Sequence, residues 1–121
     1  MSDSKLHNVD VLFQSFPFGR ITVPNRIVMA PMTRNKSPGN VPGADVAAYY
    51  RRRAEGGVGL IVTEGTHPGF KGAQGYPGVP DFHGATALAG WQRVATEVHQ
   101  AGGIIIPQIW HVGSIRKKGI V

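Results

Sequence analysis

Three short apolar runs separated by two helical periods constrain this chain more than any other feature. Residues 27–30, 60–62 and 104–109 are rich in Ile or Val. None alternates polar with apolar, so each is expected to be a strand buried on both faces. Between the first two runs, in residues 43–54, Val46, Tyr50 and Ala54 share one helical face with Ala47, and Gly56-Gly57 supplies a stop. Between the last two, in residues 85–101, Ala87, Trp91, Val94, Ala95 and Val98 form a helical stripe that Gly102-Gly103 ends. Strand, helix, strand, helix, strand implies two βαβ crossovers, which join parallel strands. The fold class is therefore α/β with a parallel sheet. Ahead of it, residues 16–23 carry a Pro-Phe-Gly turn and Ile-Thr-Val, which predicts a small hairpin leading into the first strand.

Pro107 interrupts the third run, where it removes a ladder donor. It is expected at a bulge or at a position whose N–H is not paired. Residues 67–84 are rich in Gly and Pro (Gly69, Gly72, Gly75, Pro77, Gly78, Pro80 and Gly84). That is a long connection between a strand and a helix, and such loops are usually functional.

Composition removes several classes of function. The 121 residues contain no cysteine, which excludes disulfides, thiolate metal sites and cysteine nucleophiles in this stretch. No apolar run reaches the roughly 18 residues of a membrane span. Residues 1–14 have no apolar core and no small-residue cleavage site, so no secretory signal is read there. A soluble, cytoplasmic protein without a membrane partner is expected. The net charge of +6 resides largely in Arg51-Arg52-Arg53 and Arg116-Lys117-Lys118. The first cluster falls in the last turn of the expected helix, where cations complement the dipole. No aromatic-interleaved basic stripe accompanies either, so no nucleic-acid partner is expected.

Polar and aromatic residues collect directly after each strand. The first run leads into Pro31-Met32-Thr33-Arg34, the second into Thr63-Glu64-Gly65-Thr66, and the third ends in Gln108-Ile109-Trp110-His111. In parallel α/β folds these carboxyl ends share one face, and that face hosts the site. A Thr33 hydroxyl, a Gln108 amide and the bare backbone of Gly65 suit a planar heterocycle with alternating N–H and C=O edges. They do not suit a metal, because the five histidines are scattered. Trp91 reads as core, whereas Trp110 is as compatible with a pocket wall as with the core. Glu64 reads as a salt-bridge or loop hydrogen-bond partner and His111 as a hydrogen-bonded structural residue. His67, His83 and His99 read as surface or packing residues. Gly56-Gly57-Val58-Gly59 precedes a strand instead of following one, so it lacks the context of a dinucleotide loop.

Asn25-Arg26-Ile27-Val28-Met29-Ala30-Pro31-Met32-Thr33-Arg34 resembles the first-strand signature of the old yellow enzyme family of NADH:flavin oxidoreductases and ene-reductases. The resemblance continues through Ala48-Tyr49-Tyr50 with Arg53-Ala54, Gly59-Leu60-Ile61-Val62-Thr63-Glu64-Gly65 and Gly75-Tyr76-Pro77. Gly90-Trp91, Val98-His99 and Gln108-Ile109-Trp110-His111-Val112-Gly113 complete it, so that it covers nearly everything from about Leu12 onward. It implies a (β/α)8 barrel binding FMN at the carboxyl ends of its strands. Residues matching Pro31, Met32 and Thr33 pack on and under the flavin, with the Thr33 hydroxyl on the C4 carbonyl. Gly65 brings its backbone to the same edge, a position at which many relatives carry Ala. Gln108 pairs with the pyrimidine edge, and Tyr76 and Trp110 line the substrate pocket.

The activity so implied is NAD(P)H oxidation through FMN, followed by hydride transfer from flavin N5 to an activated alkene such as an enone. A His/His or His/Asn pair that polarises the substrate carbonyl, a tyrosine proton donor and a phosphate clamp lie on later strands in the family. A (β/α)8 barrel needs roughly 200 residues at the least. Residues 1–121 are thus expected to be a single incomplete domain with about three of eight strands and no catalytic residue of their own. Its open strand edges and apolar surface predict aggregation or pairing with a partner, and a homo-oligomer is compatible with this reading. Pro80-Asp81-Phe82-His83 and Ser114 depart from the commoner family pattern and leave the substrate range open. Two alternatives stand beside it. One is another reaction on the same barrel, of dienoyl-CoA reductase or amine dehydrogenase type; the other is a non-catalytic remnant.

Overall fold

The computed structural model describes residues 9–119. Both helices form where the apolar stripes place them. Helix α1 (Ala44–Glu55) buries Val46, Ala47, Tyr50 and Ala54. Helix α2 (Ala85–Gln100) buries Ala87, Gly90, Trp91, Val94 and Val98. Their buried faces meet each other over Ile61 in one core. Each Val or Ile removed from water there contributes roughly 1.5–3 kcal/mol. At the end of α1 the chain turns at Gly57, whose φ of 91° is in the region only glycine adopts freely. Its N–H closes on the Ala54 carbonyl at 2.9 Å.

The expected hairpin forms from β1 (Phe16–Phe18) and β2 (Ile21–Val23), paired antiparallel. It leads into β3 (Val28–Met29), which runs parallel to β4 (Leu60–Thr66), which in turn pairs in parallel with β5 (Ile105–Ile109). The sheet order is β3-β4-β5, so β4 is central. Asn25 fixes the entry to β3: its Nδ2 donates to the Gly57 carbonyl at 2.7 Å, and its Oδ1 accepts the Ile27 N–H at 3.0 Å.

Burial corrects one expectation. Of the strands in this sheet, β4 is nearly closed off along its length, whereas Val28 is 53% and Ile109 58% exposed. Among the described residues β3 and β5 each have a single strand neighbour, so an apolar run is not enough to bury both faces. The lengths differ too, because β4 continues through Thr66 as its ladder with β5 resumes beyond an irregularity.

That irregularity answers the problem of Pro107. Val62 pairs with Ile106 and Gly65 with Gln108, so Thr63 and Glu64 of β4 together lie opposite Pro107 alone, one residue more than β5 supplies. A bulge there means that no ladder donor is required of the proline.

The long loop after β4 is folded back on itself. His67 and Asp81 form a parallel bridge, with His67 N–H on the Pro80 carbonyl at 3.1 Å and Phe82 N–H on the His67 carbonyl at 2.8 Å. The loop also packs on the segment ahead of α1, through Ser37 N–H to Gly78 O at 2.9 Å and Asp81 N–H to Asn40 O at 2.8 Å. The basic cluster in α1 is partly occupied within the fold: Arg51 pairs with Glu55 and Glu97, and Arg53 lies over the Tyr49 ring. No helix among the described residues is long and apolar enough to cross a membrane. The reading of residues 1–14 as lacking a secretory signal falls mainly on residues 1–8, which lie outside the described residues.

Candidate functional site

The sheet delivers its polar termini to one rim because all three strands run the same way. On β4 and β5 this is a matter of register: Gly65 sits opposite Gln108 and Thr66 opposite Ile109. Backbone and hydroxyl groups then lock the two strand ends together. Gln108 N–H donates to Thr63 Oγ1 at 3.0 Å, Thr66 Oγ1 donates to the Gln108 carbonyl at 2.8 Å, and Trp110 N–H donates to the Thr66 carbonyl at 3.1 Å. With the backbone of Gln108 satisfied on both sides, its half-buried side-chain amide remains available as donor and acceptor.

Trp110 folds its indole over Gly65. A Cβ on Gly65 would run into the six-membered ring of that indole. The space beside this glycine is filled by a side chain of the same chain. Tyr76 lies against the other aromatic, its ring centroid 6.0 Å from that of Trp110 at an interplanar angle of 36°. Trp110 Nε1 is buried without a hydrogen-bond partner, a buried donor still to be satisfied. Beside this pair, Phe70 stacks on His111 at 5.8 Å, and His111 Nδ1 accepts the Gly113 N–H at 3.0 Å, as a structural histidine does.

The segment after β3 reaches the rim through Arg34. Its guanidinium grips Glu64, with Nη2 2.7 Å and Nε 3.1 Å from Oε1, and its backbone N–H lies 3.4 Å from Oε2. Glu64 has no exposed side-chain surface. The structural reading of Glu64 holds, and Arg34 is the partner that sequence reasoning did not name. Tyr49 and Tyr50 of α1 flank the guanidinium at 4.0 and 5.4 Å, and Tyr50 Oη accepts the Glu64 N–H at 2.8 Å. Burial pushes the Tyr50 phenol up to about 12, so it stays neutral in this contact.

The structure thus links Gly65, Gln108, Trp110 and Tyr76 in one series of contacts, while the Thr33 segment is tied to β4 through Arg34 and Glu64. Pro31, Met32 and Thr33 are all exposed, Met32 by 51%. Trp91 is core, as expected, with Nε1 donating to the Asp81 carbonyl at 2.9 Å.

Of the histidines read as surface or packing residues, His67 is a packing residue with a carboxylate partner. His67 is fully buried, and its Nδ1 lies 3.3 Å from Asp81 Oδ1, while His83 Nε2 is 3.6 Å from Oδ2 of the same carboxylate. Burial lowers the pKa of His67 more than Asp81 raises it. His67 and Asp81 are separated by most of a loop, and only the backbone bridge between them makes the contact. No group of three metal-ligating side chains occurs among the described residues.

An exposed Thr33 hydroxyl, a half-buried Gln108 amide and the unpartnered Trp110 Nε1 are donor and acceptor types that suit the edge of a planar heterocycle. By their chemistry these groups fit an isoalloxazine better than a metal ion.

Solved structures that superpose on this chain include morphinone reductase and an old yellow enzyme homologue. Morphinone reductase superposes with a TM-score of 0.82 at 40% identity, covering 87% of this chain and 27% of that one. The same enzyme is known in complex with tetrahydroNAD. The old yellow enzyme homologue of Zymomonas mobilis superposes with a TM-score of 0.83 at 35% identity, covering 90% of this chain and 30% of its own. The architecture is therefore an α/β fold with a parallel sheet like that of the N-terminal part of these barrels.

A family model described as the NADH:flavin oxidoreductase / NADH oxidase family matches residues 11–119. The chain belongs to that family, whose cofactor is FMN. Among curated relatives, putative 12-oxophytodienoate reductase 4 of Oryza sativa subsp. japonica is 40% identical over 104 residues, which is 86% of this chain and 27% of that protein. 12-Oxophytodienoate reductase 2 of Arabidopsis thaliana is 37% identical over 108 residues, 89% of this chain and 28% of that protein. The chain thus spans little more than a quarter of the length of these relatives.

Proposed function

We propose that this chain supplies part of the flavin site of an NAD(P)H-dependent, FMN-containing oxidoreductase that reduces activated C=C bonds, such as those of enones. In this reading β3, β4 and β5 are the first three strands of an eight-stranded barrel. The observation that carries it is the register of Gly65 on Gln108, with Arg34 tying the Thr33 segment to the residue before Gly65. FMN, when bound, supplies hydride transfer at its central ring.

The residues of the chain act around that ring. Thr33 donates a hydrogen bond to the oxygen on which charge grows as the ring is reduced. Gln108 offers its amide to the pyrimidine edge, and Pro31 and Met32 cover apolar ring surface. Trp110 and Tyr76 form a wall over the ring edge and shape the space for a flat alkene. Relatives named for 12-oxophytodienoate and morphinone support a carbonyl-conjugated substrate class. The carbonyl anchor, proton donor and phosphate clamp are assigned to later strands, outside this sequence.

The test is direct. The full-length protein should purify yellow and oxidise NADPH faster when cyclohexenone is added; a colourless preparation that takes up no FMN would overturn the reading. Residues 1–121 produced alone should hold FMN weakly and reduce no cyclohexenone. Stoichiometric FMN or steady turnover in that shorter chain would show that the site is complete without later strands.

A further inference from the structure

The two bulge residues of β4 each turn a polar group toward a neighbouring segment that bears a ring-edge residue. In a regular strand, side chains stand perpendicular to the sheet and do not reach sideways; a bulge re-aims them. Thr63, 2% exposed, uses its hydroxyl on the β5 side: Oγ1 accepts the Gln108 N–H at 3.0 Å and donates to the Glu64 carbonyl at 2.7 Å. Glu64, 1% exposed, directs its carboxylate to the opposite segment, where among the described residues the hydrogen bonds it accepts come from Arg34, the residue after Thr33. Tyr50 holds the Glu64 backbone from behind, and Tyr49 and Tyr50 cover the guanidinium.

We infer that Thr63 and Glu64 are positioning residues, which set the spacing of Thr33 and Gln108 on either side of Gly65. The inference rests on the proposed FMN site. Neither side chain touches the ring: Thr63 acts through the Gln108 backbone and Glu64 through Arg34. Pro107 is part of the device, since the bulge opposite it leaves the Gln108 N–H to a side-chain acceptor. A buried ion pair is a weak choice for stability alone, because well-packed apolar residues do as well. It is a strong choice for fixing direction, since Nη2 and Nε of Arg34 converge on one carboxylate oxygen while its backbone N–H approaches the other.

Three variants of the full-length protein test this. Thr63→Val replaces the hydroxyl with a methyl of similar shape, Thr63→Ser keeps the hydroxyl, and Glu64→Gln keeps the shape without the charge. In flavin-free protein, residue-resolved hydrogen exchange should show the Gln108 amide exchanging roughly five- to tenfold faster in Thr63→Val and as wild type in Thr63→Ser. The Arg34 amide should respond likewise to Glu64→Gln. With FMN, Thr63→Val and Glu64→Gln should weaken flavin binding several-fold and shift the flavin potential, with recovery in Thr63→Ser. Unchanged amide protection in Thr63→Val and Glu64→Gln overturns the positioning role, as does equal loss in the Ser and Val variants. Wild-type FMN affinity and potential in both variants would also overturn it. If wild-type protein takes up no FMN while the two amides respond as stated, the flavin reading fails and the alignment of the strand ends by the bulge stands.

Discussion

Arg34 and Glu64, 30 positions apart in sequence, close a two-point contact in which Nη2 and Nε lie 2.7 and 3.1 Å from one carboxylate oxygen. The contact joins the segment after β3 to the bulge of β4, and α1 seals it with two tyrosine rings. The consequences can be measured on this pair and on the residues packed around it.

Removing the cation should be costly. Arg34→Ala leaves the fully buried Glu64 carboxylate without its partner, and such losses amount to about 3–5 kcal/mol. Arg34→Lys should recover only part of that, because an ammonium cannot reproduce the planar fork. Urea unfolding midpoints give the comparison. An alanine variant within about 1 kcal/mol of wild type would mean that the pair does not hold the segment.

Tyr50 makes stability sensitive to alkali. Its phenol is raised from 10.0 to about 12, chiefly by burial. The unfolded chain then gives up the proton first, so stability is intact below about pH 10 and falls as pH rises toward 12, by roughly 3 kcal/mol in all. Absorbance at the phenolate band should show one tyrosine ionising near pH 12, and Tyr50→Phe should remove that step. If no tyrosine titrates so late, Tyr50 is not sealed in the core.

His67 acts on the acid side. Burial lowers its pKa below the ordinary 6.5, and Nε2 has no hydrogen-bond partner for a second proton. The unfolded chain therefore takes up the proton more readily, so stability is fully present above about pH 6.5 and is lost as pH falls below it. Melting temperatures measured from pH 7.5 down to pH 5 should fall more in wild type than in His67→Asn. Parallel curves would exclude this histidine as a source of the loss.

A side chain at position 65 should displace Trp110. The Cβ of Gly65→Ala would occupy space held by the indole ring, and overpacking of this kind costs about 1–3 kcal/mol unless the neighbour moves. The indole is at a strand end and only half-buried, so it should swing away. The expected result is a small loss of stability with a shifted Trp110 emission, read against a Trp110→Phe control. An unchanged spectrum would place the ring elsewhere.

The helical stripes were readable because burial in a helix depends on a local repeat: Val46, Tyr50 and Ala54, and Trp91, Val94 and Val98, all reach the core. Polar residues after apolar runs likewise marked one rim, since parallel strands carry their carboxyl ends to the same side. The burial of the outer strands was not readable. The composition of β3 and β5 resembles that of β4, and how much of each is covered depends on what lies beside it. The pairing of His67 with Asp81 and of Arg34 with Glu64 was hidden for a related reason, because loops and crossovers bring together residues that no local period connects.

By itself, then, the sequence determined the order of elements, the parallel sheet and the family, because these follow from repeat, chain order and motif. Tertiary structure alone decided the rest: the Thr63–Glu64 bulge opposite Pro107, the indole over Gly65, and the direction of each buried polar group. Those depend on register and on side chains meeting across space, where a single inserted residue changes every partner beyond it.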